Sequence, residues 1–238
     1  MRDPPAQPLP RLTTLAKLLA ADYWIVLDDV QFTRRDYQHR ARLAGIGAPL
    51  QRQWLSIPTH LPGGRWTAIR NAQIVDPMRS RRRTMQMLRQ YFGSSPHWPA
   101  LDQALAPVLD LFTTTDKTAD VTEASTHILL DLLGWKGQVL RSSQLAARPG
   151  RTQRLADLAA VTGARSYLCG TGGMTYLETS LFTSCGITIT PFRTPTTGGW
   201  DSGRAFSALR ALMILGPTAL ADALRAVAAN QDESRTVA

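Results

Sequence analysis

The densest set of reactive side chains in the sequence lies between residues 28 and 42. It opens on adjacent carboxylates, Asp28 and Asp29, runs through Gln31, Arg34 and Arg35, and ends on His39, Arg40 and Arg42. Carboxylate and imidazole both serve as general bases. The arginine fork recognises phosphate or carboxylate bidentately. The pattern therefore points to Asp28, Asp29 or His39 as a base beside an anion clamp of Arg34, Arg40 and Arg42. Like charge around His39 disfavours its protonation and leaves it neutral. On an extended chain, neighbouring side chains point to opposite faces, so one of the two carboxylates is expected to enter the site.

A second constellation is Gly170-Thr171-Gly172-Gly173, with Tyr176 shortly after. Glycines allow close backbone approach, and a helix N-terminus following them favours an anion. The run lacks the Lys-Ser/Thr of a phosphate loop and does not match the dinucleotide fingerprint. Cys169 precedes it, where a nucleophile could be presented. The stronger reading is a small buried residue, with Cys185 also packed in a helix. No pair of histidines has ligand spacing, and no cysteine cluster suggests zinc, so no metal and no resident cofactor are expected. His127 lies among Ile128, Leu129 and Leu130 and is expected to be packed. Trp66 and Trp200 lie in glycine-containing loops where they could stack on a ring.

Elements must place these groups. Tyr23–Leu27 is a continuously apolar run that reads as a buried parallel strand ending at Asp28 and Asp29. Ligands of open α/β sheets sit beyond strand carboxyl ends. Residues 138–190 alternate strand and helix: Gln138–Leu140, Arg151–Thr162, Ser166–Cys169, Thr175–Ser184 and Ile187–Thr190. This predicts parallel strands with right-handed crossovers. The expected fold class is α/β, mostly parallel sheet with flanking helices and a small strand pair near 51–75 (Gln51–Ile57 and Thr67–Val75). Helices are expected over Leu12–Leu19, Arg79–Phe92, Leu101–Phe112 and Thr118–Leu133. The helical C-terminal tail, 202–229, divides into Ser202–Leu215 and Pro217–Ala229.

Composition narrows the class. The chain has 238 residues, 44% hydrophobic and 19% charged, which is globular rather than disordered. One domain over 1–238 is expected, with the basic segment 34–89 as a subdomain at most and 191–203 as a loop able to close over a site. No apolar run reaches the ~18 residues of a membrane span. The proline-rich start does not resemble a secretory leader, so a cytoplasmic location is expected. Net charge is +9, yet residues 34–89 alone carry twelve arginines against Asp36 and Asp76. The remainder therefore sums to about −1, and the basic surface implies an anionic partner. The chain holds 24 arginines but three lysines, so compositional bias explains part of this excess.

The run Leu27-Asp28-Asp29-Val30-Gln31-Phe32, followed by Arg34 and by His39-Arg40 with Arg42, resembles the WbqC-like protein family. So do Trp54-Leu55-Ser56-Ile57-Pro58, the Gln7-Pro8 start, and Tyr167–Gly170 with Gly173 and Tyr176-Leu177. Family members typically begin with a strand leading into a His-Gln-Pro motif, whereas this chain begins Met1–Ala6 without a strand, and Ala6 stands in place of the polar residue. The resemblance implies bacterial O-antigen or specialised-metabolite biosynthesis, and a transferase moving an acyl or aminoacyl group to an amine or hydroxyl. The donor is then an anionic small molecule or carrier-borne substrate, held by Gln31, Arg34, Arg40, Arg42 and the turn from Gly170 through Thr171, Gly172 and Gly173 to Tyr176. Two other readings stay open: a non-catalytic module docking tRNA, a nucleotide or a carrier protein through Arg34–Arg89, and a nucleotidyltransferase.

Overall fold

The computed structural model describes residues 5–47 and 51–236, with side chains to 230. Helix α1 spans Leu12–Leu19 and leads into strand β1, Tyr23–Val26. Its apolar positions 12, 15, 16 and 18 are buried, as helical spacing requires. A basic arm follows. Strand β2 (Arg40–Ala44) pairs antiparallel with β3 (Arg52–Ser56), with Arg42 opposite Trp54. Strand β4 (Thr59–His60) pairs antiparallel with β5 (Gln73–Ile74). Helices α2 (Pro77–Phe92), α3 (Trp98–Thr114) and α4 (Thr118–Leu132) come next, α3 packing on both neighbours. Asp76 caps α2 by accepting the Arg79 N–H at 2.8 Å, and Pro77 takes the first helical turn, where its missing N–H costs nothing.

The second half supplies the parallel pairs. Strand β6 (Gln138–Arg141) lies parallel to β1, with Val26 opposite Arg141. After α5 (Arg151–Val161), strand β7 (Ser166–Gly170) pairs parallel with β8 (Thr188–Phe192) across the short α6 (Thr179–Thr183). The chain ends in α7 (Leu209–Leu215) and α8 (Pro217–Thr236), which packs on α1. These helices meet at 117°. Gly216 makes the corner at φ +80°, where a Cβ would lie 2.6 Å from the His97 ring. Among the described residues no single helix is long and apolar enough to cross a membrane.

The mixed α/β class, the parallel pairs and the helical tail agree with the sequence reading. Four details differ. The β-α-β-α-β run does not form one ladder: β6 pairs with β1, and β7 with β8. The two pairs meet instead through side chains, since Ile25 and Leu27 share a buried cluster with Tyr167 and Cys169. The strand at 52–56 pairs with β2, inside the basic motif, rather than with 67–75. Residues 67–70 instead run along 28–32, through Phe32 N–H to Thr67 O, Ile69 N–H to Val30 O and Arg70 N–H to Asp28 O. Helix α7 starts at Leu209: Ala205 and Phe206 N–H close a local turn on Ser202 O, then Ser207 N–H bonds Arg42 O and Ala208 N–H bonds Pro10 O. Helix α6 starts at Thr179, after a separate turn in which the Tyr176 and Leu177 N–H groups both bond Gly173 O.

Candidate functional site

Where β1 and β6 end, two carboxylates meet two serines. Beyond Val26 the chain passes through Leu27 to Asp28 and Asp29, while β6 gives way to a 3-10 turn at Ser142–Gln144. Asp28 is 3% exposed. Its Oδ1 accepts from Ser143 N–H at 2.9 Å and Ser142 Oγ at 3.2 Å, and its Oδ2 from Ser143 Oγ at 2.6 Å. Asp29 Oδ1 accepts from Ser142 Oγ at 2.5 Å, and its Oδ2 accepts from the Arg154 guanidinium. One hydroxyl proton serves one acceptor at a time, and the shorter separation assigns it to Asp29. Both carboxylates thus reach the same serine, against the expectation that 28 and 29 face opposite ways. That alternation holds only within a strand, and β1 stops at Val26.

Asp29 is a fixed anion. Burial opposes its charge, but the Ser142 hydroxyl and the Arg154 guanidinium together outweigh burial and hold its carboxyl below the usual range. A second layer of charge stands behind. Arg141 donates to Glu123 Oε2 and Asp120 Oδ1, both at 2.9 Å. Burial raises the Glu123 pKa against the pull of Arg141, with Asp120 and Asp28 adding to the rise.

The first turn of α5 connects this nest to the glycine turn. Arg151 and Arg154, three residues apart, lie on one face of the helix. Arg154 bonds Asp29, and the Arg151 guanidinium sits 3.4 Å from the centre of the Tyr176 ring. Gly170 closes β7, and Gly173 N–H bonds back to its carbonyl at 2.8 Å. Thr171 and Gly172 are exposed at the tip, and Gly173 is buried. The turn does not open a helix, contrary to the sequence reading. Its N–H groups at 173, 176 and 177 are taken up internally, so the turn offers shape and close approach more than a helix dipole.

The arginines of the basic motif serve other partners. Arg40 donates to the carbonyls of Arg35 (2.6 Å) and Asp36 (3.2 Å) and stacks on Trp54 at 4.4 Å. Arg42 lies between Trp54 at 5.8 Å and Phe206 at 5.3 Å. Their guanidinium groups gather on Trp54, where cation–π attraction holds the β2–β3 arm together. Arg34 is exposed. Gln31 donates to Arg65 O at 2.5 Å. His39 packs against Phe32, ring centres 5.4 Å apart. Burial first, then Arg40 and Arg34, push its pKa down to about 4 against the weaker pull of Asp36. It is neutral as expected, with burial rather than like charge as the leading cause.

Other residues fall as follows. Cys169 is fully buried beside Leu27, Tyr167 and Phe182, a packing position, while Cys185 is exposed rather than packed. His127 is exposed on α4, its Nε2 3.6 Å from Asp131, because its helix turns that edge outward. Trp66 is 71% exposed under the Arg65 guanidinium, and Trp200 packs against the main core. Arg81 bends to Leu109 O and Asp110, while Arg82 and Arg83 reach solvent. The sequence reading passed over Ser142, Ser143, Arg154, Arg141 and Glu123. The serines had a legible signal, a polar pair directly after a strand of a parallel fold. Arg141, the last residue of β6, shares that strand-end signal; Arg154 and Glu123 had none, since helix periodicity does not say which face meets β1.

No solved structure matches the chain. The uncharacterized Mycobacterium tuberculosis protein Rv1507c is similar to it, 24% identical over 171 residues, covering 72% of each chain. The model of the WbqC-like protein family matches residues 7–207. That span takes in the Asp28–Asp29 nest, the Trp54 arm, the first turn of α5 and the glycine turn, and the chain belongs to the WbqC-like protein family.

Proposed function

We propose that the chain is a cytoplasmic biosynthetic transferase that moves an acyl or aminoacyl group from an anionic activated donor to an amine or hydroxyl acceptor. The observation that carries this reading is the first turn of α5. It holds Asp29 through Arg154 and Tyr176 through Arg151, so one helical turn touches both a carboxylate and the residue that follows the glycine turn. The acceptor amine meets Asp29, and its nitrogen attacks the donor's acyl carbon. A nitrogen that has attacked is far more acidic than the free amine, so a carboxylate with a low pKa suffices to take its proton. The bond from the acyl carbon to the leaving group breaks, the leaving group departs as its anion, the new amide forms, and the nitrogen's proton passes through Asp29 to water. The open turn Thr171–Gly172 admits the donor's chain.

Family membership and the O-antigen or specialised-metabolite setting that the resemblance implies support the reading. The test is product formation. Acyl thioesters, acyl adenylates and aminoacyl-tRNA are each offered with amino-sugar acceptors, and products are read by mass spectrometry. Asp29→Asn is expected to lower turnover by about 100-fold with the fold retained, within the range of a lost general base. Full turnover in that variant would remove Asp29 from the reaction. A second reading, docking of a tRNA or carrier, is favoured by the exposed Arg34, Arg52, Arg70, Arg82, Arg83 and Arg89. It requires a log–log salt slope of ~0.7 to 0.9 per phosphate contacted.

A further inference from the structure

We infer that a small cationic cavity at the carboxyl end of the β7–β8 pair binds a phosphoryl or diphosphate group, and, resting on the transferase reading above, that this group belongs to the donor. The cavity measures about 210 Å³ and is lined by Arg11, Lys17, Arg193 and Arg204. These cations come from separate stretches of chain: the entry to α1, its last turn, the end of β8 and the loop before α7. No carboxylate is among the described residues that line it. Gly170 and Thr171 form one rim, so the cavity adjoins the glycine turn that Tyr176 and Arg151 tie to the carboxylate nest.

Two features run against local preference and become favourable once an anion is present. Arg11 occupies the N-cap of α1, where the positive end of the helix repels a cation. That first turn carries no acidic residue and no side-chain cap. Arg11 is held in place by its own contacts: its guanidinium lies over Tyr37 at 4.2 Å and donates to Arg204 O at 3.3 Å. Its Nε is buried with no hydrogen-bond partner among the described residues. The Thr13 N–H bond to Gly203 O (3.3 Å) fastens the 193–204 loop against α1 and shapes the wall.

Size and charge choose the ligand class. Pockets that enclose whole small molecules run from about 300 to 1,000 Å³, so this one accepts a head group and leaves the remainder outside. Four lining cations with no carboxylate among them suit a phosphate dianion or a diphosphate better than a single carboxylate. The site differs from the Arg34–Arg40 clamp expected from the sequence, of which Arg40 braces Trp54 beside Arg42.

Isothermal titration of the full chain with inorganic pyrophosphate, inorganic phosphate and acetate tests the site, using Arg193→Gln and Arg204→Gln, both at exposed positions. Pyrophosphate should bind about ten-fold or more tightly than acetate, and each substitution should weaken it by a similar factor, as expected for one charge-assisted hydrogen bond. Arg82→Gln should leave binding unchanged. The inference is overturned if wild type binds no pyrophosphate, if acetate binds as well, or if the Gln variants bind like wild type while Arg82→Gln does not. It is also overturned if a single-stranded oligonucleotide binds with a steep salt slope and pyrophosphate does not compete. Pyrophosphate binding without product from any donor would leave the cavity in place and sink the transferase reading alone. Product formation without pyrophosphate binding would do the reverse.

Discussion

Replacing Arg154 by Met keeps the aliphatic stem and removes the guanidinium that joins α5 to the β1 loop. Arg154 and Asp29 have side chains 24% and 19% exposed. A hydrogen bond between charged groups contributes about 1.5–3 kcal/mol, and removing one partner of a fully buried pair costs about 3–5 kcal/mol. Residual exposure places this pair near the lower range, at ~2 kcal/mol. For a chain of this size, that corresponds to a fall in Tm of about 4–8 °C. The pH dependence carries the sharper test. The folded Asp29 pKa lies below its ordinary value of 3.8. Its stabilisation is therefore complete above about pH 5 and is lost as the pH falls through the folded pKa. Urea denaturation followed by tryptophan fluorescence at pH 7, 5 and 3 reads the gap between wild type and variant. The gap should be ~2 kcal/mol at the two higher values and should narrow at pH 3. Since the pair is mostly shielded from water, 1 M salt should leave most of it. A gap as wide at pH 3 as at pH 7, or one below ~0.5 kcal/mol throughout, would show that Arg154 contributes through packing alone.

Two further outcomes follow from the site. His39 titrates near 4 in the fold against ~6.5 in the unfolded chain, so the unfolded chain protonates first and stability declines as pH falls from about 6.5 toward 4. His39→Gln should flatten that decline by ~2 kcal/mol, read from urea midpoints at pH 7.5 and 4.5; an unchanged decline means that His39 is not its source. Cys169→Ala should leave transfer within about two-fold and lower stability by about 1 kcal/mol, as expected for one small buried side chain. Lost turnover in a variant that still folds would instead make the thiol a reacting group.

Much of this protein was legible before folding. The run Tyr23–Leu27 reads as a strand because five apolar residues in a row suit burial on both faces, and its abrupt end at Asp28 and Asp29 marks a strand exit. Helices α1 to α5 follow from 3.6-residue spacing of apolar side chains, which is a local property. The neutrality of His39 could be inferred in direction from its arginine neighbours. What the sequence could not decide is partnership across distance. Asp29 meets Ser142 and Arg154, more than a hundred residues away, because β6 chose β1 rather than β7 as its neighbour. Periodicity carries no information on that choice, since any apolar strand can extend any ladder. Arg40 illustrates the same limit. Its neighbours in sequence suggested a ligand clamp, yet pairing β2 with β3 sets it over Trp54. Only the fold gathers Arg11, Lys17, Arg193 and Arg204, from the two ends of the chain, around one cavity, because charges distant in sequence become neighbours only when packing closes the loops between them.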